Sequence, residues 1–184
     1  MFTSKIKTKS ERATTAVQSP ARILGLDPGY GRLGYGLIEE EKGVLRPVSY
    51  GCFETAARED RGYRLQILRS NLLALLKRHR PAVAGVEQLF FSKNVKTALG
   101  VGEARGVILL TLAEERIPVF EVSPQQVKLA VTGYGKAGKR QMQTMVAKLL
   151  GLVSPPKPDD AADALAVAMA VSQTHRTLGR LMNG

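Results

Sequence analysis

The sequence predicts an α/β domain, a mixed five-stranded sheet flanked by helices. Short apolar runs bounded by turn residues recur along the chain, as strands do. Between the later runs lie segments with apolar residues at helical spacing, such as Leu65, Leu68, Leu72, Leu75 and Leu76. The first three runs are separated only by short turns and should pair antiparallel. The later ones are separated by helices and should run parallel.

Taken in order, residues 22–27 read as a buried strand, followed by strands at 32–39 and 44–54. Gly29-Tyr30-Gly31 and Glu41-Lys42-Gly43 supply the turns between them. A helix is expected over 61–79, stopped by Pro81. Residues 82–87 form a short buried strand, 94–115 a long helix and 117–122 a fifth strand. Ser123-Pro124 then opens a helix with a cap residue and a proline at its first position. Helices follow at about 124–131 and 138–150. The Pro-rich stretch 154–158 breaks the chain before a final helix over about 159–173. Residues 1–21, rich in Ser, Thr and Lys, read as a flexible basic tail without the apolar stretch of a secretory signal. The folded domain is then 22–174, with 175–184 a short C-terminal tail.

The chain has 184 residues and a formal net charge of +11. Such a field favours a polyanionic partner. No basic amphipathic membrane helix is apparent, and no apolar run approaches the ~18 residues of a membrane span. Nucleic acid is therefore the favoured partner, with no membrane association. Cys52 is the single cysteine, which excludes an intramolecular disulfide and fits a reducing cytoplasm. His79 and His175 lie in unrelated helical segments, so a histidine–cysteine zinc site is not expected.

Four acids stand out by position. Asp27 follows the apolar residues of the first strand, and Glu87 closes the apolar strand Ala84-Gly85-Val86. If these strands are neighbours, their tips lie ~5 Å apart. Asp160 and Asp163, three apart, share one face at the start of the last helix, and the alanines between them let that helix lie close to the sheet. Read singly, Asp27 is a turn former before Pro28-Gly29, and Asp159, Asp160 and Asp163 are capping acids. Glu87 resists that reading, because no turn residue adjoins it. Gathered together, the carboxylates would repel one another unless cations neutralise them. An all-oxygen donor set suits Mg²⁺, with Mn²⁺ as a substitute. Two such ions ~4 Å apart can serve phosphodiester hydrolysis.

Between Val122 and Pro158 there is no acidic residue, while Lys128, Lys136, Lys139, Arg140, Lys148 and Lys157 all fall there. The run Gly133-Tyr134-Gly135-Lys136-Ala137-Gly138 makes a loop that can approach a phosphate closely. This suits a DNA backbone track built from Lys136, Arg140 and Lys148.

Leu24-Gly25-Leu26-Asp27-Pro28-Gly29, followed by Gly34-Tyr35-Gly36, resembles the first motif of the bacterial Holliday-junction resolvases of the RuvC family. Val86-Glu87-Gln88-Leu89-Phe90 is similar to the second motif and Gly102-Glu103-Ala104-Arg105-Gly106 to the third. Asp160-Ala161-Ala162-Asp163-Ala164-Leu165-Ala166 is similar to the fourth, and the likeness spans about residues 22–172.

The resemblance implies a ribonuclease-H-like sheet and a Mg²⁺-dependent crossover junction endodeoxyribonuclease. It implies a homodimer that makes paired nicks across four-way junction DNA and works with the RuvA–RuvB branch-migration complex. Asp27, Glu87, Asp160 and Asp163 match the family's metal-binding acids. Lys128 and Lys139 match basic residues near the cleaved strand, and Phe90 matches a residue that contacts unstacked bases. Phe91 and Arg105 are further expected DNA contacts. Either Asp159 or Asp160 can supply the third acid, and the Asp-Ala-Ala-Asp spacing favours Asp160. Ala98, Gly102 and Gly106 fall on one helix face, which packs either on its own sheet or against a second copy. The resemblance selects the second copy. Two alternatives belong to other classes: a junction-binding protein without activity, which would lack one of the acids, and an actin-like ATPase, whose two-domain architecture 184 residues cannot hold.

Overall fold

The computed structural model describes residues 20–29, 31–88 and 95–182, with the side chains of 95–97 and 175–182 excepted. Strands β1 (Ala21–Gly29), β2 (Arg32–Glu41) and β3 (Val44–Glu54) form an antiparallel meander. Helix α1 (Arg61–His79) leads to β4 (Val83–Glu87), and α2 (Val95–Glu114) to β5 (Val119–Val122). Helices α3 (Pro124–Thr132), α4 (Lys139–Leu149) and α5 (Asp159–Met182) follow. The sheet order is β3-β2-β1-β4-β5, with β1, β4 and β5 mutually parallel, as the helical crossovers require. This is the expected mixed five-stranded sheet.

Period-two alternation sorts the side chains onto the two faces of the sheet. Leu24, Leu26, Leu33, Leu37, Ala84 and Val86 pack with Leu68 and Leu72 of α1 and Ile108 and Leu112 of α2. On the opposite face Ile23, Ile38 and Val83 meet α3, α4 and α5 through Val127, Met142, Val146, Leu165 and Val167. The sheet is thus covered on both faces.

The second face carries glycines where α5 crosses it. A Cβ on Gly25 would lie 2.0 Å from the Ala164 carbonyl oxygen, and one on Gly36 would lie 2.5 Å from the Leu165 nitrogen. A Cβ on Gly85 would meet Val171 at 2.4 Å. These residues let the alanine-rich start of α5, with Ala161 and Ala164 fully buried, rest directly on β1, β2 and β4. The alanines of the Asp-Ala-Ala-Asp segment therefore allow the close approach expected of them.

Local signals set several ends. Ser123 and Gln126 form a reciprocal capping box at the start of α3, with Pro124 in its first turn. Arg80 ends α1 in the left-handed region, just before Pro81. Several ends differ from expectation, β1 running on to Gly29 and β2 to Glu41, two residues past the expected 27 and 39. β5 begins at Val119 rather than 117, because Pro118 has no N–H for the ladder and contributes only its carbonyl, to Ala84. α5 continues to Met182, beyond the end expected near 173, since no strong breaker lies in Gln173–Leu178. Of the expected tail, residues 1–19 lie outside the described residues, whereas Ala21 already pairs with Glu40.

Candidate active site

The sheet register brings the first two acids together. Gly25 is level with Gly85 and Leu26 with Val86 on the parallel strands β1 and β4. Two residues beyond the glycines, Asp27 and Glu87 therefore stand side by side on the α5 face, because alternate residues share a face. β2 pairs antiparallel with β1 so that Gly34 lies opposite Asp27. A Cβ on Gly34 would lie 2.3 Å from the backbone carbonyl oxygen of Asp160, so this glycine seats the first turn of α5 against the site.

The charges respond to this convergence. Burial pushes the Asp27 carboxyl up to about 7, and the neighbouring charges of Glu87, Asp163 and Asp160 push in the same direction. Burial also raises Glu87, with Asp163 adding to the shift and the Lys128 ammonium opposing it. Asp163 is raised by burial against the pull of Lys139. All four expected acids thus belong to one electrostatic cluster at the rim of the sheet.

Two cations reach into it. Lys139, the first residue of α4, places its Nζ 3.0 Å from Asp159 and 3.6 Å from Asp163. Arg32, the first residue of β2, places Nη1 3.3 Å from Asp160 and Nη2 3.8 Å from Glu54. Among the described residues no three His, Cys, Asp or Glu side chains stand close enough to hold one ion together. The acids are near neighbours but are held partly by basic partners.

The adjacent acids Asp159 and Asp160 are separated by their surroundings. The Asp160 side chain is 22% exposed and contributes to the Asp27 shift. The Asp159 side chain is 61% exposed and is held below the usual carboxylate range by its hydrogen bond with Lys139.

The other expected site residues divide into groups. Lys128, half-buried on α3, faces Glu87, while Lys136, Arg140 and Lys148 are exposed. Arg140 lines an open groove with Tyr50, Gln143, Thr144 and Lys157. The Arg105 side chain is 17% exposed and pairs with Glu121 at 2.7 Å, tying α2 to β5. Phe90 and Phe91 lie outside the described residues. Arg32 escaped the sequence reading. The available signal was its strand parity: Arg32 and Gly34 share a face, and the turn after Asp27 returns the chain beside it.

Two neighbouring parallel strands tipped with Asp27 and Glu87, crossed by a helix bearing Asp160 and Asp163, define a nuclease of ribonuclease-H-like fold. Comparison with known proteins narrows the class. The family model described as "Crossover junction endodeoxyribonuclease RuvC" matches residues 23–171. The crossover junction endodeoxyribonuclease RuvC of Roseiflexus sp. is 50% identical over 163 residues, covering 89% of this chain and 97% of the relative. That of Chloroflexus aggregans is 53% identical over 159 residues, covering 86% and 97%. The structure of Thermus thermophilus RuvC in complex with a Holliday junction substrate superposes with a TM-score of 0.81 at 33% identity, covering 85% of this chain and 96% of that chain. The chain belongs to the RuvC family of crossover junction endodeoxyribonucleases.

Proposed function

We propose that this chain resolves four-way DNA junctions by paired, metal-dependent nicks, with Asp27, Glu87, Asp160 and Asp163 as its metal ligands. The observation that carries the reading is the convergence of Asp27 and Glu87, side by side on neighbouring strands, with the first turn of α5 seated there on Gly34, where burial and the neighbouring acids together push the Asp27 carboxyl up to about 7. A carboxylate kept in such a place costs folding free energy, and a bound cation relieves that cost. The donors are all carboxylate oxygens, which fits Mg²⁺ or Mn²⁺ rather than a softer metal. Two ions per site suit four ligands. When bound, such ions supply activation of water and stabilisation of the leaving oxygen. Asp160 is favoured over Asp159 because it contributes to the Asp27 shift and is the less exposed of the two.

We assign Lys139, in contact with Asp159 and Asp163, and Lys128, whose charge acts on Glu87, to the scissile phosphate. An ammonium fixed there stabilises charge that develops on the phosphate oxygens. Lys136, Arg140 and Lys148, exposed on the acid-free segment, position the DNA backbone. Phe90 is assigned to base stacking near the crossover, with Phe91 beside it. Arg105, paired with Glu121, is left out of this set.

The substrate reading draws on the printed names of the relatives and on the T. thermophilus complex with a Holliday junction. A homodimer fits a two-fold junction, because it offers two sites related by the same symmetry. The outer face of α2 supports it: Cβ atoms on Gly102 and Gly106 would meet nothing within 4 Å, and Leu99 and Leu110 are 63% and 56% exposed. Gly102 and Gly106 therefore do not serve packing on their own sheet. Work with a RuvA–RuvB branch-migration complex in the cytoplasm completes the proposal and rests on family likeness.

The deciding experiment incubates the protein with a synthetic four-way junction and with a linear duplex of the same sequence, with and without Mg²⁺. Symmetric nicks in the junction alone, and only with Mg²⁺, are expected. Junction binding without nicking would favour a binding protein of the same fold.

A further inference from the structure

We propose that Arg32 competes with a divalent cation for Asp160, and that binding of the ion moves the guanidinium toward Glu54. The proposal rests on the metal reading above and assigns to one residue control over how readily the site fills.

The geometry is that of a guanidinium shared between two carboxylates. Arg32 gives Nη1 to Asp160 at 3.3 Å and Nη2 toward Glu54 at 3.8 Å. Arg32 and Glu54 are register partners on β2 and β3, while Asp160 arrives from α5, 128 residues away in sequence. The sheet therefore fixes the arginine and its alternative acceptor together. Release from Asp160 leaves the guanidinium beside a second carboxylate that is already within reach. The Glu54 side chain is 60% exposed, so moving the cation toward it places charge in water rather than in the interior.

A second observation agrees. The four acids influence one another electrostatically, yet among the described residues no three donor side chains converge on one point. Asp160 is engaged by Arg32 and Asp163 by Lys139. The lysine already has a place in the reaction as read above. The arginine does not, and its removal separates competition for Asp160 from chemistry at the phosphate.

The test is Mn²⁺ binding to the full chain without DNA, read by calorimetry and by the spin-resonance signal of free Mn²⁺. Arg32→Gln should tighten binding roughly three- to tenfold, since the ion no longer has to break a partly exposed charge pair. Arg32→Lys, which keeps the cation, should restore an affinity within about twofold of the parent. Glu54→Gln should weaken binding about two- to threefold, because the displaced arginine loses its second acceptor. Unchanged or weaker Mn²⁺ binding by Arg32→Gln would overturn the proposal. So would an equal gain from Arg58→Gln, which removes an exposed charge not paired with any of the four acids. Absence of Mn²⁺ binding by the parent chain would instead remove the metal reading on which both depend.

Discussion

The backbone carbonyl of Asp160 occupies the space that a side chain on Gly34 would need, 2.3 Å from the position of its Cβ. The atom in the way is backbone, so it cannot rotate aside. Gly34→Ala should push the first turn of α5 off the sheet, at a cost of about 1–3 kcal/mol. In a chain of this size that lowers the melting temperature by about 2–10 °C. Because the displaced turn carries two of the acids, nicking should fall much further than junction binding. A variant with normal activity and an unchanged melting curve would show that α5 does not depend on this contact.

Asp27→Asn should leave junction affinity within about twofold and reduce single-turnover nicking on the order of a thousandfold, as expected for loss of several kcal/mol of transition-state stabilisation. Glu87→Gln and Asp163→Asn should behave alike. Gel-shift and cleavage assays on the same junction separate the two effects.

The same variant makes a pH prediction in chelator-treated protein. Asp27 has a folded pKa of about 7, above its ordinary 3.8. Between these values the folded chain keeps a proton that the unfolded chain releases, so stability falls as pH rises. Asn has no such proton. Asp27→Asn should therefore melt at a higher temperature than the parent above pH 7, and the difference should close toward pH 4. A constant offset across this range would contradict the raised pKa.

Lys139→Ala should lower the rate of nicking within the bound complex more than it lowers affinity, because its Nζ contacts Asp159 and Asp163. Lys136→Ala and Lys148→Ala should do the reverse, and each should reduce the salt dependence of binding by about one ion. Equal losses of affinity in all three, with unchanged rates in the bound state, would make the segment a purely electrostatic track.

Leu110→Glu tests the α2 face. Leu110 is 56% exposed, so a single chain should tolerate the change within about 0.5 kcal/mol. A dimer formed through α2 would bury the new charge and dissociate. Sedimentation at micromolar concentration should show a dimer for the parent and a monomer for the variant.

The acids were legible in the sequence because each marks the edge of a pattern: Asp27 and Glu87 break apolar strands, and Asp160 and Asp163 keep helical spacing. Other roles depend on partners that only the fold supplies. Arg105 reads only as the cation of the third motif until β5 brings Glu121 beside α2. Arg32 is an ordinary residue at the start of a strand until α5 lays Asp160 against it. Gly34 and Gly36 suggest turn or motif chemistry locally. Their work as a seat for α5 is set by a helix more than a hundred residues further on. Local pattern thus specified the elements, whereas inter-element charge pairing lay beyond it.

The seating of α5 on glycines also bears on when the protein becomes dangerous. A nascent chain emerges from the ribosome N-terminal part first. When β1 to β4 have emerged, the strands can pair and present Asp27 and Glu87, but Asp160 and Asp163 have not yet been synthesised. The proposed set of metal ligands closes only after α5 has been made and has settled across β1, β2 and β4, a contact that tests whether those strands are paired in register. Unfinished or misregistered chains are therefore expected to be inert toward the chromosome, so that completion of folding itself serves as the safety catch of the nuclease.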